Sequence, residues 1–541
     1  MNASLCEHLT DTSRTWHQPA SGRVINGKHR IAKVLLVMAG LGLLAACSPS
    51  ENSEKGQAQA VASKPATVKW AYTLPTSWDP VTSRTGADIN TISLPYASLT
   101  RLDNAGGVQP SLAKSWVYSA DGTLITFELR DGLKFTDGTP LDANAVKAFF
   151  ERGKNQKNSF LKDQLAEVQS ISTEGATKVT LHLSEPNYQV PYLLAGRTGA
   201  ISSPAAAEQD LGKLSLWPVG AGPFKMVDFV TESHAYFVKN PDYWDAANIH
   251  IDRLELTVTP DSSTLVPSVL SGSIDLATLP ARKVKEAQAS GLNVTIAPSL
   301  SVRDISINLN KAPFNNPKVV EAFRYAFNRQ EFIDVITAGT ASIVHQPFPQ
   351  GHLAFNPEVE KLWSYDPDRA IKLLAEAGYG PGQLSIVITN NALAEENSAE
   401  LLQSQLAKVG VKSVIKLVPP GSSTWQSEVY LAKTPQLALD GTIGRESPVQ
   451  NLLAVYGPDG IMNLSGPHAS DEFINALRTV RRTPLDDPNY QRVLWAAEEI
   501  GVKQSPTNYI YANPWVLVSN QKLKNLNIQP SQVRWEGVTV Q

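Results

Sequence analysis

The hydrophobic pattern of this chain becomes regular at residue 67. Thr67-Val-Lys-Trp-Ala-Tyr72 alternates polar and apolar positions with a period of two, the pattern of a strand with one buried face. The same period recurs at Leu124–Arg130, Lys178–Leu183, Arg253–Val258 and Ile305–Leu309. His182 shares the polar phase of its strand with Thr180 and is expected to face solvent. Asp131-Gly132 and Asp137-Gly138 are turn pairs, and Asp142 stands where it would cap a helix running through Phe150. Asn316-Pro317 predicts a helix through Asn328, with Val319, Val320, Phe323 and Phe327 on one face. Asp366 to Gly378 combines an N-cap Asp, a proline at the first helical position and a closing glycine. Leu384–Thr389 and Ser413–Val418 flank a helix at Glu395–Val409. Such strand–helix–strand units predict an α/β lobe across residues 303–511.

Upstream of residue 67 the pattern is different. Lys28, His29, Arg30 and Lys33 form a basic stretch, and Val34–Leu44 is an apolar run that ends in small residues before Cys47. A bilayer takes about 20 apolar residues to span, so this run reads as a cleaved export signal. Leu44-Ala-Ala-Cys47 resembles the lipobox of bacterial lipoproteins, which implies that Cys47 becomes the lipidated first residue of the mature chain. Residues 1–46 are then leader and signal. The polar stretch 1–23 exceeds the usual signal length of about 15–30 residues, which sets the expected translation start near Val24 or Ile25. The other cysteine, Cys6, lies in the leader, so the mature chain keeps no thiol for a disulfide. Residues 47–66 are expected to be a lipidated flexible tether. Ser48–Ala66 has no aromatic residue and would reach roughly 60 Å when extended.

Charge and motifs narrow the function by exclusion. The chain has 48 basic and 51 acidic residues and a formal net charge of −3, with no long block of one sign. That argues against nucleic acid as a partner and against a polybasic membrane patch. No Gly-x-Ser-x-Gly elbow, phosphate-binding loop or His-Glu-x-x-His pair occurs. The histidines beyond the leader stand at no one-turn helical spacing, so neither catalysis, a cofactor nor a protein-held metal is expected. Glu395-Glu396 opens a predicted helix, where acids favour the dipole.

Four stretches carry a more specific signal. They are Gln109–Trp116 followed by Ser119–Pro140; Val219–Lys225 leading to Asn240-Pro-Asp-Tyr-Trp244; Ser271–Leu276; and Asn308–Phe314 with the helix Glu321–Arg329. In this order they resemble the family 5 solute-binding proteins of bacterial peptide, nickel and opine ABC importers, from about Val68 to the C-terminus. The resemblance implies an α/β, two-lobed periplasmic-binding fold of type II with an extra subdomain and the ligand in the inter-lobe cleft. Lobe I would comprise 67–96, 221–302 and 512–541, with the subdomain at 97–220. Lobe II would span 303–511, and the hinge would lie at the crossings near 303 and 511. The implied protein is an extracytoplasmic, lipid-anchored monomer that has no chemistry of its own and serves a membrane permease.

Candidate ligand contacts follow from the loops that the resemblance places at the cleft. Trp78, after the first strand, and Trp425, after a second-lobe strand, are candidate aromatic walls. Arg197, in Leu194-Ala-Gly-Arg-Thr-Gly199, and Arg445, in Leu439–Pro448, are candidate carboxylate anchors, because a guanidinium grips a carboxylate with two parallel bonds. Arg303 opens the expected crossing. His345 and His352 flank Gln346-Pro-Phe-Pro349, which resembles a cleft-bordering loop of the family, and His345 is the candidate contact of the two. Where dipeptide-binding relatives supply an aspartate for the ligand ammonium, this loop offers Arg445 and Glu446, and Asp440 sits earlier, at a strand end. The expected ligand is therefore a short peptide or amino-acid-derived solute. The alternatives are an anionic nickel or opine-type chelate, another solute such as a sugar, and a peptide-sensing or chaperone-like role outside transport.

Overall fold

The alternating segments become the central strands of two β-sheets. The computed structural model describes residues 65–541 apart from 86–87, 259–260, 298, 392–395, 419–422, 467 and 530–531. The expected signal, Cys47 and the tether up to residue 64 lie outside the described residues. No described helix is long and apolar enough to cross a membrane.

The first sheet has seven strands in the order 293–297, 515–519, 276–278, 67–71, 253–257, 234–239 and 224–230. Thr67–Ala71 runs parallel to both neighbours, Arg253–Thr257 and Leu276–Thr278. The second sheet has six strands in the order 342–343, 508–512, 301–307, 437–443, 384–391 and 411–418. There Leu384–Asn391 is parallel to Val411–Val418 on one side and Leu437–Ile443 on the other. Each sheet is the centre of a lobe with its own core: Trp70, Phe224 and Phe237 in the first, Ile305, Phe323 and Leu402 in the second. The chain passes from the first sheet to the second between Ala297 and Ser301, and returns between Ala512 and Trp515. Arg303 therefore sits inside the Ser301–Ile307 strand rather than at a crossing.

Local chemistry sets the helix ends. Asp142 accepts the Ala145 amide at 2.9 Å, and its helix continues past Phe150 to Asn155. Asp366 caps Pro367–Glu376 through the Arg369 amide at 2.9 Å. The helix expected from Pro317 through Asn328 stops at Tyr325. Asn328 turns its side chain to the Gln330 and Glu331 amides and opens a second helix, Arg329–Ile336. An asparagine in extended backbone that caps the next helix cannot continue the previous one.

Residues 113–183 form a four-stranded antiparallel sheet with the Ala143–Asn155 helix packed on it through Val146, Phe149 and Phe150. Arg152 ties this subdomain to the first lobe by two bonds of 2.7 Å to the Asp79 carboxylate. The subdomain also reaches the second lobe. Arg481 pairs with Glu167 and, at 3.3 Å, with Glu185, while the Tyr188 amide donates to the Arg481 carbonyl at 2.8 Å. A hairpin loop also meets the second lobe: the Leu353 amide donates to the Ala105 carbonyl at 2.9 Å, and Gly106 lies against the ring of His352. His352 stacks on Phe348 at 5.1 Å, and burial lowers its imidazole to about 4, so it is neutral at physiological pH. Gly106 has φ +82°, and a Cβ there would stand 2.6 Å from His352 Nε2. Gly106→Ala is expected to cost about 2 kcal/mol through backbone strain and the clash. Urea unfolding measures it, and an unchanged midpoint would contradict this packing.

Candidate ligand-binding cleft

Parallel strands deliver the loops at their carboxyl ends to one edge of a sheet, which is where ligands of open α/β sheets bind. In the first lobe that edge carries residues 72–85, after Ala71. Asn293–Ala297 and Leu276–Thr278 are both antiparallel to Trp515–Ser519, so the outgoing crossing leaves from the same edge. In the second lobe the edge is set by the strand ends Asn391, Val418 and Ile443, and it carries residues 444–446. Ser301 is the register partner of Ile443, so the crossing also arrives at that edge. Two crossings at shared edges make the two loop sets face each other.

Between them lies an opening of about 830 Å³, solvent at its mouth included. Thr85 and Ile89 come from the first lobe, Gly196 and Arg197 from the segment that follows the four-stranded sheet, and Gly444, Arg445 and Glu446 from the second lobe. Gln529 and Gln532, from the returning tail, complete the polar side.

The two arginines are thus brought to one opening. Arg197 begins a single turn, Arg197–Gly199, and its Nη1 donates to the carbonyls of Ser83 at 2.7 Å and Thr85 at 3.3 Å. Its Nε is buried and donates to no protein atom among the described residues. Burial lowers the guanidinium's pKa, Arg445 pushes the same way, and Glu446 and Asp88 oppose them. Arg445 stands half-buried between the Leu437–Ile443 strand and the helix Pro448–Tyr456. Ser447 caps that helix through the Gln450 amide and donates to Gln189 of the subdomain at 3.3 Å. Glu446 lies flat on Gly196, where a Cβ would stand 2.0 Å from its Oε1, so a side chain there would push the Glu446 carboxylate aside. The opening therefore holds two cations and one anion.

Four expected contacts lie elsewhere. Trp78 is 1 % exposed, packed edge-on against Phe237 and Phe229 in the first-lobe core, because its ring fills the space under the turn rather than above it. Trp425 is 4 % exposed, packed with Val418, Val429, Ala438 and Leu464 in a small core of the second lobe. His345 donates its amide to Glu360 at 3.0 Å and places Nδ1 3.2 Å from the same carboxylate, away from the opening. Arg303 packs its guanidinium over Gly441, where a Cβ would come 2.9 Å from Nη1.

Beside Arg303 is a feature that sequence inspection did not single out. Asp304 and Asp440 are register partners on adjacent antiparallel strands, so two carboxyls share one sheet face. Ser306 donates to Asp304 at 2.8 Å, and the Gly441 amide and Tyr430 hydroxyl donate to Asp440 at 2.8 and 3.2 Å. Burial, then the facing Asp304 charge, raise the Asp440 carboxyl to about 7, against the pull of these donors and of Arg303. Register alone makes the pair, and register is visible only when the strands are paired.

Two α/β lobes joined by two crossings, with a polar opening between their loop edges, define a ligand-binding protein of the two-lobed type II class. The chain belongs to the bacterial extracellular solute-binding proteins, family 5, whose middle-region model matches residues 107–463. It is 30 % identical over 340 residues to the glutathione-binding protein GsiB of Escherichia coli strain K12. That match spans 62 % of this chain and 65 % of the relative, less than two thirds of its length. Among solved structures, the periplasmic binding protein DppA of Helicobacter pylori, in complex with peptide STSA, is similar with a TM-score of 0.74 at 24 % identity, over 88 % of this chain and 98 % of that one. NikZ of Campylobacter jejuni, in complex with Ni(L-His), gives 0.74 at 21 % identity, over 87 % and 97 %. Such likenesses show the fold, and family members in general bind and deliver solutes rather than transform them.

The acid pair makes stability depend on pH in a stated direction. A carboxyl raised from about 4 to about 7 lets the native state hold a proton that the unfolded chain has released, so its contribution falls as pH rises through that window and is flat above it. Asp440→Asn is expected to remove most of this fall and to gain about 1–2 kcal/mol over the native protein at pH 8. Chemical denaturation at pH 5 and pH 8 measures it, and parallel profiles for the two proteins would count against a shared proton.

Proposed function

We propose that this protein is the extracytoplasmic solute-binding component of an ABC importer, held to a bacterial membrane by lipid on Cys47. In this reading it captures a short peptide or amino-acid-derived solute bearing a carboxylate. The observation that carries the reading is the convergence of Arg197 and Arg445 from opposite sides of one opening, with Arg197 Nε buried and without a protein partner. An unpaired buried donor costs about 1–3 kcal/mol, and a ligand carboxylate recovers that cost while bridging the lobes. Lobe closure is then a population shift drawn by the ligand. The glutathione-binding relative supports a peptide-like ligand, since glutathione is a tripeptide with two carboxylates. An anionic metal chelate is the second reading: the arginines suit its carboxylates equally, and the fold is that of NikZ.

Calorimetric titration with glutathione, short peptides and nickel–histidine separates the two readings. For the solute that binds, Arg445→Ala is expected to raise Kd by about 10- to 100-fold. An unchanged Kd would remove Arg445 from the site. The anchor is tested separately: Cys47→Ala is expected to move the protein from the membrane fraction to the soluble fraction, and continued membrane recovery would reject lipidation at Cys47.

A further inference from the structure

Arg197 is held by backbone carbonyls, and those carbonyls are held by a buried acid that does not reach the ligand side. Asp88 is 4 % exposed and stands at the start of the short helix Asp88–Ile92. Its carboxylate accepts the hydroxyls of Thr76 at 2.5 Å, Ser83 at 2.7 Å and Thr85 at 2.7 Å, and the Thr85 amide at 3.4 Å. Thr76 Oγ1 in turn accepts the Arg84 amide at 2.9 Å. One carboxylate thus closes residues 76–85 into a ring of bonds to neutral donors, which leaves its charge uncompensated within the ring.

Ser83 and Thr85 are the two residues that connect the systems. Each gives its hydroxyl to Asp88 and its carbonyl to Arg197 Nη1. If either hydroxyl is released, the carbonyl on the same residue loses its fixed direction. The negative charge of Asp88 also favours the charged form of Arg197, which burial and Arg445 both oppose. Arg152 cannot substitute for Arg197 in this arrangement, because its guanidinium is already committed to Asp79 and Ser202.

We propose that Asp88 is a positioning residue for ligand recognition: through Ser83 and Thr85 it aims the Arg197 guanidinium into the cleft and so sets the preference for a carboxylate over a neutral amide. The inference rests on Arg197 being a ligand anchor. It adds that the anchor works only while a buried acid behind it stays bonded to Ser83 and Thr85. The hydroxyl-rich run Thr76, Ser77, Thr82, Ser83 and Thr85 ahead of Asp88 is the trace it leaves in the sequence.

The test compares glutathione and the tetrapeptide Ser-Thr-Ser-Ala, each as free acid and as C-terminal amide, by calorimetric titration. The native protein is expected to prefer the acids by about tenfold or more, and Arg197→Ala to abolish the preference. Asp88→Asn keeps the shape and removes the charge, and is expected to bring the acid-to-amide ratio to within about threefold. A merely structural role would weaken acid and amide alike, so a native ratio in Asp88→Asn overturns the inference and leaves the anchor role of Arg197 standing. If Asp88→Asn does not fold, Thr85→Val removes one hydroxyl bond and must also lower the ratio. A native ratio in Arg197→Ala, or no binding of any of the four probes by the native protein, rejects the anchor and the inference together.

Discussion

The structure depends on where the chain crosses between its two sheets. Both passages, at 298–300 and 513–514, leave and arrive at the edges where the parallel strands end. Strand ends carry loops, and loops are the parts of an α/β lobe free to vary without disturbing a core. Because the crossings tether the edges, loops from residues 72–85 and 444–446 are forced to face each other whatever residues they contain. The cleft is a consequence of connectivity before it is a consequence of chemistry.

Chemistry then enters at a small number of positions. Arg197, Arg445 and Glu446 meet at one opening, where the Glu446 side chain lies against Gly196. The four-stranded sheet and the segment after it do more than extend the first lobe, since that segment supplies Arg197 and the two together touch the second lobe through Glu167, Glu185 and Gln189. Separation of the lobes must therefore break charged and polar contacts on the subdomain side as well as bend the crossings. Behind the cleft lie two carboxylate arrangements with opposite solutions to burial. Asp88 collects three hydroxyl donors around its carboxylate, whereas Asp440 faces a second carboxyl, Asp304, and is driven toward the neutral form.

Much of the local structure was legible in the residues. The caps Asp142 and Asp366, the strand Lys178–Leu183 and the helix opening at Pro317 follow from short-range bonds and periodicity, which need no knowledge of the remaining chain. The double role of Asn328 was missed because a capping asparagine and a helical one look alike until the chain direction changes. The tryptophans misled for a related reason. Trp78 and Trp425 sit beside loops in sequence, yet each ring fills a gap under its loop, and which side of a turn a large ring takes is settled by the volume available in the core.

The sequence by itself determined the family, the strand–helix alternation and the presence of arginines in two loops separated by more than two hundred residues. Only the tertiary structure decided that Arg197 and Arg445 share one opening while Arg303 and His345 do not, that Glu446 rests on Gly196, and that Asp304 faces Asp440. The division has a physical basis. Periodicity, caps and turns are set by neighbours within a few positions, so one chain segment contains the whole cause. A side chain's partner across a cleft or a strand pair is set by register, crossing points and packing volume, which belong to the assembled fold and to no segment of it.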